Sequence, residues 1–223
     1  MKLSNSRLFE QGAAIFRKDF LIGLRRRASF AAMAMFALTS LAALSLATRG
    51  EILEPKILAA LLWVVIFFAA SAGISGTFDD EETAGTLSTL KLYAAPQAVL
   101  FGKMFFTFAS LAALIIFLLP IFLVLFDCGV EEIFLLVTTI FFGAVGISSA
   151  GTLTAALTTS ATVKGGLFPI LLFPVTLPIF LPAIRLTEFA FAGGECGAEF
   201  LILMAIYDAI LITAASILYD YLD

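Results

Sequence analysis

The stretch FDDEETAGTLSTLKLYAAPQAVLFGK, residues 78–103, sits between two long apolar runs and opens with four acids, Asp79, Asp80, Glu81 and Glu82. Whether such a segment does chemistry depends on what the rest of the chain can supply, and most reactive residue types are missing. There is no His, which removes His-based metal sites, Ser-His-Asp triads and imidazole-ligated haem. The two cysteines, Cys128 and Cys196, are too few for a zinc or iron–sulfur site within one chain. Gly85–Lys91, GTLSTLK, has the outline of a phosphate loop. Leu90 stands where its second Gly must be, and no Ser or Thr follows the Lys, so backbone amides could not cradle phosphates there. No nucleophile–base pair or metal set emerges. The chain is expected to be no enzyme and to bind no metal or cofactor directly.

The elements that position these residues follow from composition. Of 223 residues, 61% are hydrophobic and 13% charged. Soluble domains carry roughly twice that charged fraction. A domain of this size cannot hide so much apolar surface from water, so lipid must be the solvent. A span needs about 20 mainly apolar residues. Six runs qualify: Ala28–Thr48, Ile57–Gly76, Phe101–Phe126, Ile133–Thr158, Gly165–Arg185 and Glu199–Tyr219. Backbone groups in lipid must be satisfied within the segment, so each run should be a helix. The runs do not alternate as barrel strands would. The first is preceded by 27 residues and is longer than a signal-peptide core, so it is expected to remain as a span.

In the preceding segment Leu8, Gly12, Phe16, Phe20 and Leu24 recur every four residues, with Arg17, Lys18 and Arg25–Arg27 as polar complement. This predicts an amphipathic helix in the inner interface. It is either a surface anchor or a lever linking the first span to a cytoplasmic partner. The expected fold is therefore an all-α integral membrane protein with six transmembrane helices after an N-terminal amphipathic interfacial helix. Residues 1–27 would be the cytoplasmic helix, 28–223 the membrane domain, and 77–100 its largest cytoplasmic loop.

Orientation follows from the basic residues. With the N-terminus cytoplasmic, the inner side holds Lys2, Arg7, Arg17, Lys18, Arg25, Arg26, Arg27, Lys91, Lys103 and Lys164, and the outer side only Arg49, Lys56 and Arg185. That is a positive-inside bias, with both termini cytoplasmic. The net charge of −4 is spread among loops, and no basic patch with interleaved aromatics suggests nucleic acid.

Within this frame several residues stand out. Asp79–Glu82 would begin a short helix, where negative charge suits the dipole. Phe78, Leu87 and Leu90 would give it a packing face, Gly85 a bend or close approach, and Pro96 a break before the next span. The alternative is a solvated loop kept out of lipid by its acids. Pro169, Pro174, Pro178 and Pro182 crowd the fifth span and free the carbonyls of Gly165, Ile170, Pro174 and Pro178. That fits either a kinked, packed helix or a broken one lining a path. Gly146, Ala150 and Thr154, with Gly143 and Gly151, predict a close seam within the subunit rather than a dimer contact. Asp208 falls near the middle of the last span, where an ionised Asp costs about 2.5–3.5 kcal/mol. It should be a polar tie to another helix or subunit, or part of a proton relay, though no second acid or His accompanies it. Cys128 and Cys196 both reach the outer side, where a disulfide could join two loops, or they are free thiols.

The segment TFDDEETAGTLSTLKLYAAPQAVLFGK resembles the cytoplasmic gate segment of ABC-2-type exporter permeases: an acidic cluster, Gly-Thr-Leu, a further Leu, then Pro and a Gly-Lys opening the third span. LLWVVIFFAA at Leu61–Ala70, AALTTSATVKGGLFPILLFPVTLPIFLPA at Ala155–Ala183 and the six-span layout resemble, more narrowly, the CcmB family of haem exporter permeases in cytochrome c maturation. Ala84 stands where that family often has an acid. The resemblance implies a six-helix permease subunit that dimerises and docks on two copies of a cytoplasmic ABC ATPase, which would bind and hydrolyse the ATP. It implies a haem-handling membrane subunit and a haem chaperone as further partners, haem as the cargo of the complex, and residence in the inner (plasma) membrane. Contact with the ATPase would involve Phe78, Asp80, Glu81, Glu82, Gly85, Leu87 and Leu90. An ABC-2-type permease for a lipid, polysaccharide or drug, and a non-transporting assembly scaffold, are the alternative readings.

Overall fold

The computed structural model describes residues 5–26, 28–48, 50–75, 77, 78, 85, 93–159, 164–194 and 198–222. They form seven helices: α1 (Asn5–Arg26), α2 (Ala28–Thr48), α3 (Pro55–Ile74), α4 (Pro96–Leu125), α5 (Ile133–Thr159), α6 (Lys164–Ala192) and α7 (Ala198–Leu222). No strand occurs among the described residues. Six stretches are long and apolar enough to cross a membrane, one in each of α2 to α7. The protein is all-α, with six candidate spans and a preceding N-terminal helix.

Local chemistry sets the helix ends. Pro55 and Pro96 open α3 and α4, each behind an extended residue, Glu54 at ψ 143° and Ala95 at ψ 139°. Proline suits the first helical position, whose N–H has no partner inside the helix. Pro96 therefore begins the third span instead of closing a loop element. This moves residues 96–100 out of the expected loop 77–100 and into a helix of 30 residues. Ala98, Val99 and Leu100 are buried, which is why the helix gains from starting there. At its far end Asp127 takes φ 45°, and the Cys128 N–H reaches back to the Leu123 carbonyl at 3.0 Å. This is a Schellman closure, with Asp in the left-handed position usually given to Gly.

α6 passes through Pro169, Pro174, Pro178 and Pro182 without interruption. The four prolines do not break the helix. It also outruns the expected end at Arg185, because Leu186, Thr187 and Ala190 are buried and the Ala190 carbonyl accepts the N–H groups of Glu131 and Glu132 at 3.0 and 3.1 Å. Twenty-nine residues at 1.5 Å each give about 44 Å, more than the roughly 30 Å of hydrocarbon, so α6 must tilt or protrude.

α3 and α5 are the most buried spans. Trp63 of α3 is fully buried and donates its Nε1–H to Thr187 Oγ1 of α6 at 2.9 Å. Its ring lies on Gly143 of α5, where an added methyl would overlap it. Gly146 faces Ile179 and Asp208, and Gly151 faces Ile74. Ala150 and Thr154 are also buried. The small-residue stripe is thus a seam inside the subunit, where α5 approaches α3, α6 and α7.

α1 lies along the start of α4. Gly12 meets Ala98, Gly12 and Ile15 meet Gly102, and Gly23 meets Phe106. These contacts advance in step along both helices, so the two run in the same direction. One face of α1 is therefore committed to protein, while Phe9, Phe20 and Leu21 remain exposed on it. Connectivity places α1, the α3–α4 and α5–α6 links and the end of α7 at one end of the bundle. The α2–α3, α4–α5 and α6–α7 links share the other.

Candidate functional site

The residues that lead into the long α3–α4 link meet α4 and α7, and through Lys103 they are joined to α1. Beyond α3 the chain turns sharply: the Thr77 N–H and Oγ1 both donate to the Ile74 carbonyl, at 3.0 and 2.6 Å. This turn sends Phe78 inward, where it is 2% exposed and stacks on Tyr219 of α7 at 6.3 Å. Lys103 of α4 lies over the Phe78 ring. Its Nζ is 4.6 Å from the centre of the Phe78 ring and donates to the Thr77 carbonyl at 2.7 Å. It also donates to Asp19 Oδ2 of α1 at 3.4 Å. The other carboxylate oxygen of Asp19 pairs with Lys18 at 3.0 Å.

Lys103 is 1% exposed, so its charge has almost no water. A buried ammonium is tolerable only with a counter-charge and filled donors. Here a carboxylate, a carbonyl and a ring face surround it. Removing one partner from a buried pair typically costs about 3–5 kcal/mol. The approach that makes the pair possible comes from glycine: a Cβ on Gly102 would lie 2.8 Å from the Gly12 carbonyl oxygen and 2.9 Å from Ile15. Two further bonds brace this end. Gln11 Oε1 of α1 accepts the Ala95 N–H at 3.2 Å, just before α4, and Gln97 donates to Asp220 of α7 at 3.3 Å.

The sequence pattern assigns Phe78, with Leu87 and Leu90, to the packing face of a short helix that begins at the acids. Phe78 packs instead on α7 and Lys103. Gly85 has φ 66°, a left-handed position that favours glycine, as a bend there requires. Asp79, Asp80, Glu81, Glu82, Leu87 and Leu90 lie outside the described residues.

Asp208 is 3% exposed, against Gly146 at the junction of α5, α6 and α7. The expected polar tie is not made among the described residues: neither carboxyl oxygen has a hydrogen-bond partner. Its neighbour Tyr207 makes the bond to the proline-rich helix instead, its hydroxyl donating to the Val175 carbonyl at 2.8 Å. Of the four prolines, Pro182 is buried, Pro169 half-buried, and Pro174 and Pro178 exposed. At the other end Cys128 is a half-buried free thiol, 3.4 Å from the Gly129 carbonyl, and burial pushes its pKa up. Cys196 lies outside the described residues.

Sequence reasoning missed Lys103, Asp19 and Tyr219. Lys103 counts there as an inner-side cation and as the Lys of the Gly-Lys that opens the third span, with no partner assigned. Two signals were available. Lys103 stands seven residues past Pro96, well inside an apolar helix, and Asp19 shares the Gly12–Ile15 face of an otherwise basic segment.

A family model described as CcmB protein matches residues 11–217, nearly the whole chain. The chain belongs to the CcmB family. These are the haem exporter permeases of cytochrome c biogenesis, and with its six apolar helices this member is a multi-pass transmembrane permease. The match begins at Gln11 and takes in Asp19 and Lys103 as well as the α3–α4 link, ending two residues before Tyr219. No curated protein matches the chain.

Proposed function

We propose that this CcmB-family permease is the membrane subunit of an ATP-driven complex in cytochrome c maturation, and that the α3–α4 link receives the stroke of a separate ABC ATPase. The observation that supports this reading is the anchoring of Phe78 and Thr77. A link that merely joined two spans would gain little from an entry residue, Phe78, buried against α4 and α7. A link that transmits force needs a stiff root. The acids at 79–82 and the apolar Leu87 and Leu90 then present the contact to the ATPase.

In this reading both termini face the cytoplasm, the membrane is the inner (plasma) membrane, and the permease works as a homodimer on two ATPase copies. A haem-handling membrane subunit and a haem chaperone complete the complex. Haem is cargo of the complex, and ATP binds the partner. The test is co-purification in mild detergent. Unaltered permease should bring down the ATPase. Leu87→Asp with Leu90→Asp should insert normally, lose most of the bound ATPase and stop cytochrome c maturation. Normal ATPase association and maturation in that variant would sink the reading.

A further inference from the structure

We propose that Lys103 is a positioning residue for coupling, fastening the root of the α3–α4 link to α1 and α7 so that all four helices respond to one push. The proposal rests on the coupling reading above. The link is covalently continuous with α3 and α4 only. Any load on it reaches α1 and α7 through non-covalent contacts. Gln11 and Gln97 make such contacts beside Pro96, at the link's far end. At its root they converge on one side chain: Asp19 is 3.4 Å from Lys103, and Phe78, stacked on Tyr219, lies under the same ammonium.

The chemistry of the contact suits transmission. Apolar surfaces of equal volume would pack as well, but they slide at small cost. A buried ion pair has one good register, because any shift leaves a charge without partner or water. The Lys103 ammonium is also bonded to the main chain of the link, at the Thr77 carbonyl, so the grip does not depend on a side chain alone. Gly12 and Gly102 bring the two backbones close enough for Asp19 to reach. Lys18, on the partly exposed side, holds the second oxygen of Asp19 and fixes the carboxylate's orientation. α1 is then a lever driven from the link.

The experiment uses the full complex with its ATPase, comparing Lys103→Met, Lys103→Arg and Asp19→Asn. Three quantities are read: ATPase bound per permease, ATP turnover of the purified complex, and matured cytochrome c in cells. In Lys103→Met and Asp19→Asn, binding and turnover should stay within about two-fold of the unaltered complex, while maturation falls at least ten-fold. Lys103→Arg, which keeps the charge, should recover at least half of the maturation. This split between hydrolysis and output is what separates coupling from plain support of the fold. If Lys103→Met does not accumulate, Asp19→Asn decides, since it leaves Lys103 its carbonyl and ring contacts. Normal maturation in Asp19→Asn overturns the proposal. So does parallel loss of binding, turnover and maturation, or failure of Asp19→Asn to accumulate, because each marks the pair as fold support alone. If unaltered permease binds no ATPase, it is the coupling reading that fails.

Discussion

Single residues in this protein show how differently two charges can be treated in an apolar bundle. Lys103 is buried and surrounded by partners; Asp208 is buried with neither oxygen bonded among the described residues. The first belongs to an element junction with a specific register. The second occupies space that Gly146 leaves open. Cys128 illustrates burial at a boundary. Its thiol is pushed up by desolvation, which disfavours the thiolate. At any given pH it therefore holds less thiolate than a free thiol, and its maleimide reactivity should lag behind. We expect labelling of the purified protein at pH 7 to be several-fold slower than for glutathione, and the gap to persist as pH rises through the ordinary thiol range. A rate equal to that of glutathione at pH 7 would contradict the burial. If Cys196 is bonded to Cys128 in cells, labelling of Cys128 will appear only after reduction.

Between elements, the closest approaches are set by glycine. At Gly143 the neighbour is the rigid Trp63 ring, itself held by Thr187. Gly143→Ala should overpack the α3–α5 seam and cost about 1–3 kcal/mol. Gly129 has nothing within 4 Å of an added Cβ, so Gly129→Ala should be neutral. Thermal unfolding in detergent would compare the two, and equal melting temperatures would argue against the seam. The proline-rich α6 offers a second lesson at this scale. Four missing donors do not break it, and its neighbours hold it at other points: Trp63 from α3 at Thr187, Tyr207 from α7 at Val175, and the Glu131–Glu132 amides before α5 at Ala190.

For the whole molecule, the two ends of the bundle are tied in different ways. One end holds the root of the long link through a buried ammonium, Lys103, shared among Asp19, Thr77 and Phe78. The other joins the α4–α5 link to α6 through the main chain, Glu131 and Glu132 to Ala190, and carries the Arg185–Glu188 pair and the Phe122–Phe191 stack. Composition bears on cargo. With no His in the chain, tight axial ligation of haem would have to come from Met, Tyr or a Cys thiolate. We predict that the permease purified alone shows no stoichiometric Soret band, and that haem in the complex resides on a partner. A bound haem whose spectrum shifts when one Met, Tyr or Cys of this chain is replaced would refute that.

Much of this was legible in the residues alone. Six apolar runs long enough to span a bilayer predict six helices, because lipid leaves the backbone no other donor or acceptor. The Gly143–Thr154 stripe announces a close seam, because small side chains have little other use inside a span. Phe78 stands out as an apolar residue beside acids. Tertiary structure alone decided the partners. Nothing in the one-dimensional pattern pairs Asp19 with Lys103, 84 positions away, or brings Tyr219 to Phe78. The helix starts and ends shifted for the same reason: Pro96 opens α4 and α6 runs on to Ala192 because neighbouring helices bury the added turns. Periodicity reports which solvent a segment prefers. Which buried charge finds which counter-charge depends on where whole helices cross, and that is fixed only when all of them have packed.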